Sequence, residues 1–394
     1  MRAWLVKGLL LLGCWAVCVS AQETHAEQAT SLAVSVASDA QGRLLQVQVR
    51  QGQVWLSVSE DAGKHFSPPV AVNGSQMNIV ADGEIRPKVA VAANGNIYVS
   101  WSEALKKPFV GAIWFARSLN GGKSFEPAYI VHQDKQESMH RHDELQIAAD
   151  GTLTLFWVDM RDALAARAVG KPYDGAAIYY VVSTDMGKHF LAAQKLADNS
   201  CDCCRIATAS KPDGTVAVLW RHVFAGGERD HAMAEIKPGT KPVLVRASYG
   251  HWKMNGCPQH GAALAMGEGF GYHLAYFDGA GDRPGLRIAR MDGEAWVTSP
   301  PKRFGDNRKN AGYPALYSLG DKVWLAWREQ GSNGMEILSM ASLDGGKTWN
   351  SPSVMLRGAG KLDYPFWLSL QGQVVLVINT AERGLQVLPF TSLP

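Results

Sequence analysis

The stretch Leu145-Gln146-Ile147-Ala148-Ala149-Asp150-Gly151-Thr152-Leu153-Thr154-Leu155-Phe156-Trp157 sets two short apolar runs on either side of Asp-Gly and closes the second with an aromatic. Asn-Gly or Asp-Gly between such runs is the strongest short-range signal of a β-hairpin, with both central residues expected at positive φ. The same unit stands upstream as Val89-Ala90-Val91-Ala92, Asn94-Gly95, Ile97-Tyr98-Val99-Ser100-Trp101. It stands downstream as Ile206-Ala207-Thr208-Ala209, Asp213-Gly214, Val216-Ala217-Val218-Leu219-Trp220. Looser copies run from Ala262 to Tyr276, Ala315 to Trp327 and Phe366 to Ile378, and a divergent first copy runs from Leu32 through Gln41-Gly42 to Val49. Most copies add a third strand, such as Ala112-Ile113-Trp114-Phe115-Ala116 or Ile178-Tyr179-Tyr180-Val181-Val182. A unit that recurs roughly every fifty to sixty residues without helical periodicity predicts an all-β chain of four-stranded blades closed into a β-propeller. Seven starts favour seven blades.

Four copies carry a second signature after the third strand: Ser59-Glu60-Asp61-Ala62-Gly63-Lys64-His65-Phe66, Ser118 to Phe125, Ser183 to Phe190, and Ser342-Leu343-Asp344-Gly345-Gly346-Lys347-Thr348-Trp349. Ser and Asp can bond the amides of their own turn, Gly permits positive φ, and the final aromatic packs back on the sheet, so the motif's role is structural. Ser-x-Asp/Asn-x-Gly-x-x-Phe/Trp is the Asp box. With four copies in register, the chain resembles the sialidase-like, BNR-repeat propellers over nearly all of its length after the first residues, including cysteine-bearing exported bacterial members. Six blades, as in the sialidases it resembles, stay open if the chain ends share a blade. The strands from Phe366 to Phe390 are expected to close the ring with the segment before Leu32.

The N-terminus reads as a secretory signal: basic Arg2 and Lys7, an apolar run from Gly8 to Val19, and Val19-Ser20-Ala21 before Gln22. Cleavage after Ala21 would leave residues 22–394 as a single propeller domain in the periplasm or outside the cell; lipoprotein processing at Cys14 is the alternative. No later run is long and apolar enough for a membrane-spanning helix. Of the 39 Lys and Arg, Arg2 and Lys7 leave with the signal, so 37 face 36 acids. A near-neutral chain without a basic stripe excludes nucleic acid as an expected partner. A monomer that binds a small ligand, metal ion, glycan or partner protein is expected.

In a propeller blade the inner strand begins at one face and the second strand returns to it. Loops before the inner strands and after the second strands therefore share a face, and the Asp boxes lie on the other. That register gathers His140-Arg141-His142-Asp143-Glu144, Cys201-Asp202-Cys203-Cys204-Arg205, Cys257-Pro258-Gln259-His260, Asp159, Arg221-His222 and Arg328-Glu329 on the loop-rich face. Loops on a rigid scaffold are where sites sit. The four cysteines outside the signal allow three readings. Two disulfides would suit an oxidising compartment, for instance Cys201 with Cys204 and Cys203 with Cys257. A metal site would use Cys201, Cys203, Cys204, Cys257 and His260, with copper or zinc suited to sulfur. A redox-active pair is the third. Arg141, His142, Arg205 and His222 are candidate ligand contacts beside them.

The family resemblance also implies a hydrolase of acidic sugars. Its sialidases hold a carboxylate with three arginines, attack with a Tyr activated by a Glu, and protonate with an Asp. On the matching face this sequence offers Arg86, Arg221 and Arg328, with Arg205 nearby, then Tyr313 or Tyr364 with Glu329, and Asp159. It departs from the pattern in Ile85-Arg86-Pro87, where Ile precedes the Arg, and in Ser102-Glu103, where the acid loop should bring Asp. Ligand or metal binding on the cysteine face, sugar hydrolysis, and a disulfide-stapled scaffold for a protein partner are thus the three functional expectations.

Overall fold

Seven antiparallel sheets follow one another along the chain, six with four strands and the last with three, each in sequential strand order. The computed structural model describes residues 32–134, 137–237, 239–256 and 258–390. The expected signal, the segment before Leu32 and Cys257 lie outside the described residues. The inner strands are Val34–Ser38, Lys88–Val91, His140–Ile147, Ala207–Ser210, Ala263–Gly267, Gly312–Leu319 and Phe366–Leu370, which begin blades 1 to 7. Each packs beside the next, and the inner strands of blades 1 and 7 meet to close the ring. The protein is a seven-bladed β-propeller.

The hairpins form where the sequence places them, but their turns differ in kind. Gly95, Gly151 and Gly214 take φ near +85° (84°, 85° and 86°), whereas Asn94, Asp150 and Asp213 do not take positive φ. Each of these side chains instead accepts a hydrogen bond from the amide two residues on: Asn96 N at 3.1 Å, Thr152 N at 2.9 Å and Thr215 N at 2.9 Å. The self-bonded Asx turn, with the glycine alone in the left-handed region, replaces the expected pair of left-handed residues.

The Asp boxes share one set of bonds. The Ser hydroxyl donates to the Asp or Asn side chain at 2.8–2.9 Å and accepts from the Gly amide, while the carboxylate or amide oxygen accepts from the amide four residues on. The box aromatics then enter the seams between blades. Phe66 packs in the seam of blades 7 and 1, Phe125 in that of 1 and 2, Phe190 in that of 2 and 3, and Trp349 in that of 5 and 6. The tryptophans that end the second strands, Trp101, Trp157, Trp220 and Trp327, are fully buried at one repeated position.

Two short elements depart from the all-β expectation, the 3-10 turn Asn307–Lys309 and one α-helix. After the second strand of blade 3, Arg161–Ala168 forms a helix rather than an open loop. Its sequence, Arg-Asp-Ala-Leu-Ala-Ala-Arg-Ala, is rich in strong helix formers, and buried Ala163 anchors it.

Candidate functional site

The loop-rich face carries Cys201, Cys203 and Cys204. Before the inner strand of blade 4 the chain kinks at Asn199, whose φ is +52°, and Cys201 N then donates to Arg221 O at 2.9 Å. This pins Cys201 to the end of the second strand of its own blade. Cys204 follows in the turn that enters the inner strand. The Cys201 sulfur lies 3.6 Å from the sulfur of Cys203 and 3.6 Å from that of Cys204. Cys201 and Cys204 are buried free thiols, so the bridge expected between them is absent; at 3.6 Å the sulfurs are in contact but unbonded. Cys203 is itself disulfide-bonded.

The two free thiols are electrically unequal. The hydrogen bond from Cys204 lowers the Cys201 thiol to about 6 against the opposing effect of burial; the Cys203 amide and the Arg221 and Arg229 guanidiniums add to the lowering. The same bond, with burial, pushes Cys204 up. The two sulfurs share one hydrogen bond at 3.6 Å, and Arg229 Nη1 donates to the Cys201 sulfur at 3.5 Å, which favours negative charge there. Arg221 is buried, with Nη1 on Arg229 O at 2.7 Å and Nη2 on Phe277 O at 2.9 Å. Its Nε, and that of Arg229, have no hydrogen-bond partner.

His260 does not join the sulfurs. Among the described residues the cluster of converging ligand atoms holds Cys201, Cys203 and Cys204 with no imidazole, and the His260 ring stacks on Phe277 at 4.0 Å. Burial and Arg221 lower His260 to about 4, so it is neutral. His222 is likewise lowered to about 4 by burial and packs edge-on against Phe224. His142, at φ +54° in a strand irregularity, is buried and lowered to about 3 by burial, with Arg141 and Lys88 adding. Arg141 is half-buried beside it.

The residues matched to a hydrolase are placed around the central channel, and most are already bonded within the protein. Arg86 is buried, and all five of its N–H groups find internal acceptors: Gly83 O, Val34 O and both carboxylate oxygens of Asp363. It stacks 3.7 Å over Tyr364 and ties blade 2 to blade 7. Arg205 donates to Ala262 O and Pro314 O. Its amide and that of Gly261 are held by Glu84, and a Cβ at Gly261 would meet Arg205 at 2.1 Å, so only glycine fits there. Arg328 donates to Leu362 O and lies 4.2 Å over Tyr313, which stacks on Tyr364.

Asp159 and Glu329 occupy one repeated position, two residues after the seam tryptophan. Trp157 Nε1 donates to Asp159 at 2.8 Å, and Trp327 Nε1 donates to Glu329 at 2.7 Å. Glu329 also accepts from Asp306 N, so it is not paired with Tyr313 by any hydrogen bond described. The recurring Trp-x-acid at the strand end was the signal in the sequence for this anchoring role.

Sequence reasoning missed a buried charge cluster on blades 2 and 3. His132 and His140 stack at 3.9 Å with rings 5° from parallel. Asp134 lies 2.9 Å from His132 and 3.2 Å from His140, and Asp159 lies 3.3 Å from His140. Burial opposes the charge on His140, but Asp134 and Asp159 outweigh it and raise the group to about 9. Arg161 bonds both carboxylates. The separation of His132, Asp134 and His140 along the chain gave no metal-like spacing to notice.

No family model and no curated protein matches the chain. Solved structures do share its fold. The lectin BP39L from Burkholderia pseudomallei superposes with a TM-score of 0.59 at 10% identity, over 91% of this chain and 95% of the lectin. A PL25 ulvan lyase bound to a GlcA–Rha3S unit gives 0.58 at 12% identity, over 92% of each chain. A Hadza microbial sialidase gives 0.52 at 14% identity, over 86% of this chain and 74% of the sialidase. At such identities the likeness is one of fold.

Proposed function

We propose that this is an exported propeller whose loop-rich face binds a soft metal ion, copper(I), between Cys201 and Cys204. The carrying observation is the pair of buried, unbonded thiols in contact at 3.6 Å. Two thiolates alone hold copper(I) close to linearly, with the sulfurs roughly 4.5 Å apart, so the pair must open by about 1 Å to admit the ion. Thiolate donors select copper(I) or zinc. Zinc asks for three or four protein ligands, and among the described residues, with Cys203 disulfide-bonded and no imidazole in the cluster, two sulfurs are available. Two thiolates around copper(I) leave one negative charge, which Arg229 and Arg221 offset.

The commitment of Arg86, Asp159 and Glu329 to internal bonds favours binding over sugar hydrolysis on this face. The test is elemental analysis of protein purified from the periplasm and reloaded with copper(I) against a competing chelator. Roughly one copper per chain is expected, lost in Cys204→Ser and in Cys201→Ser. Alkylatable Cys201 and Cys204 with no copper retained would refute the reading.

A further inference from the structure

The seams between blades are filled alike at the Asp-box face, with one exception. Box aromatics plug four seams. Trp296, in the third-to-fourth strand turn of blade 5, packs in the seam of blades 4 and 5, and Phe390, just after the third strand of blade 7, packs on Trp367 in the seam of 6 and 7. Blade 4 has no box. Its third strand, His231–Ile236, leads into Lys237-Pro238-Gly239-Thr240-Lys241-Pro242-Val243-Leu244, which contains no aromatic. The core cluster of blades 3 and 4 accordingly holds no ring from that loop. A cleft of about 220 Å³ opens at that end of the seam.

The walls of this cleft have two characters. Tyr180, Val182, Val216 and Ile236 provide an apolar lining. Around them stand Asp150, Asp213, Gln194 and Lys237, with Thr154 buried among the lining residues. Asp150 and Asp213 each hold their own turn through Oδ1, and Asp213 also bonds the Thr215 side chain; the carboxylates keep further lone pairs to accept from a hydroxyl. The Asp150 carboxylate abuts Gly214, so the two acidic turns meet at the cleft. Tyr180 donates its hydroxyl to Gln194 Oε1 at 2.8 Å, which leaves the Gln194 NH₂ as a donor.

We propose that this cleft binds the ring of a neutral pyranose, in the place where every other seam holds an aromatic plug. A sugar ring has an apolar C–H face for Tyr180 and the aliphatic wall, and equatorial hydroxyls for paired carboxylates and an amide. Asp150 and Asp213 against the single Lys237 of the lining leave the mouth net acidic, which favours a neutral ring over an acidic one. The site is on the face opposite the thiols and does not depend on the copper reading.

The test uses the whole protein with methyl α-D-glucoside, methyl α-D-galactoside and methyl α-D-mannoside, read by saturation-transfer NMR and titration. At least one glycoside should give transfer to its ring protons. Thr240→Trp, which returns an aromatic to the empty loop, should weaken binding about tenfold or more. Asp213→Asn keeps the Oδ1 turn bond, and so the fold, and should also weaken binding; Cys201→Ser should leave it unchanged. Absence of transfer from all three glycosides, or binding that persists undiminished in both Thr240→Trp and Asp213→Asn with the wild-type melting temperature, overturns the proposal.

Discussion

The two faces of the propeller are built by opposite rules. On the Asp-box face the same hydrogen bonds recur in blades 1, 2, 3 and 6, so one local solution is copied. On the loop-rich face, apart from the shared Trp-to-carboxylate anchor of blades 3 and 6, the blades present different groups: blade 2 offers Arg86, blade 3 the His140 cluster, blade 4 the thiols, and blade 6 Tyr313 and Arg328. Repetition marks what holds the ring together, and departure from it marks where something else was selected. The unplugged seam between blades 3 and 4 applies the same lesson to the repeated face.

Arg86 is the test of this division with the largest expected effect. It lies on the varied face yet closes the ring, and Arg86→Ala leaves Asp363 buried without its partner. A loss of about 3–5 kcal/mol in denaturant unfolding is expected; a loss under about 1 kcal/mol would mean the ring does not need this pair. On the repeated face, Gly187→Ala forces a side chain at φ +71° and puts a Cβ 2.6 Å from Phe115. It should cost about 1–3 kcal/mol and leave copper binding unchanged.

The His140 cluster sharpens the comparison through pH. His140 is raised from 6.5 to about 9 in the folded protein, so its ion pairs contribute fully below pH 6.5 and their contribution falls as pH rises through 9. Thermal unfolding followed from pH 6 to 10 should show melting temperature declining across that window, and His140→Gln should flatten the decline. The smallest stability effect belongs to Cys204→Ser. Near-isosteric replacement of a thiol that bridges nothing should change unfolding by less than about 1 kcal/mol while abolishing copper retention, which separates a ligand from a staple.

Much of the fold was written in local patterns. The alternating runs around Asp-Gly and Asn-Gly, and the Ser-x-Asp-x-Gly-x-x-aromatic turns, act within a few residues, so the repeat and the identity of the two faces were legible directly, with seven blades favoured over six. The strand-end tryptophans were legible for the same reason. Contacts between distant residues were not. That Arg86 would meet Asp363, that Asp159 would hold Trp157 and His140 together, and that Cys201 and Cys204 would touch without bonding all depend on side-chain direction across blades. Even the helix Arg161–Ala168 was hidden, because eight residues are too few to show a period against a background of strands.

The sequence by itself determined an all-β chain of seven repeats and the placing of Cys201, Cys203 and Cys204 on the loop-rich face, because both follow from periodicity and chain direction. Only the tertiary structure decided which of those groups remain available. Closing the ring brings arginines, carboxylates and carbonyls from distant blades within bonding distance, and burial compels each charge to find a partner. The ring also leaves two thiols in contact without a covalent bond on one face and, on the other, a seam into which its loop sends no aromatic.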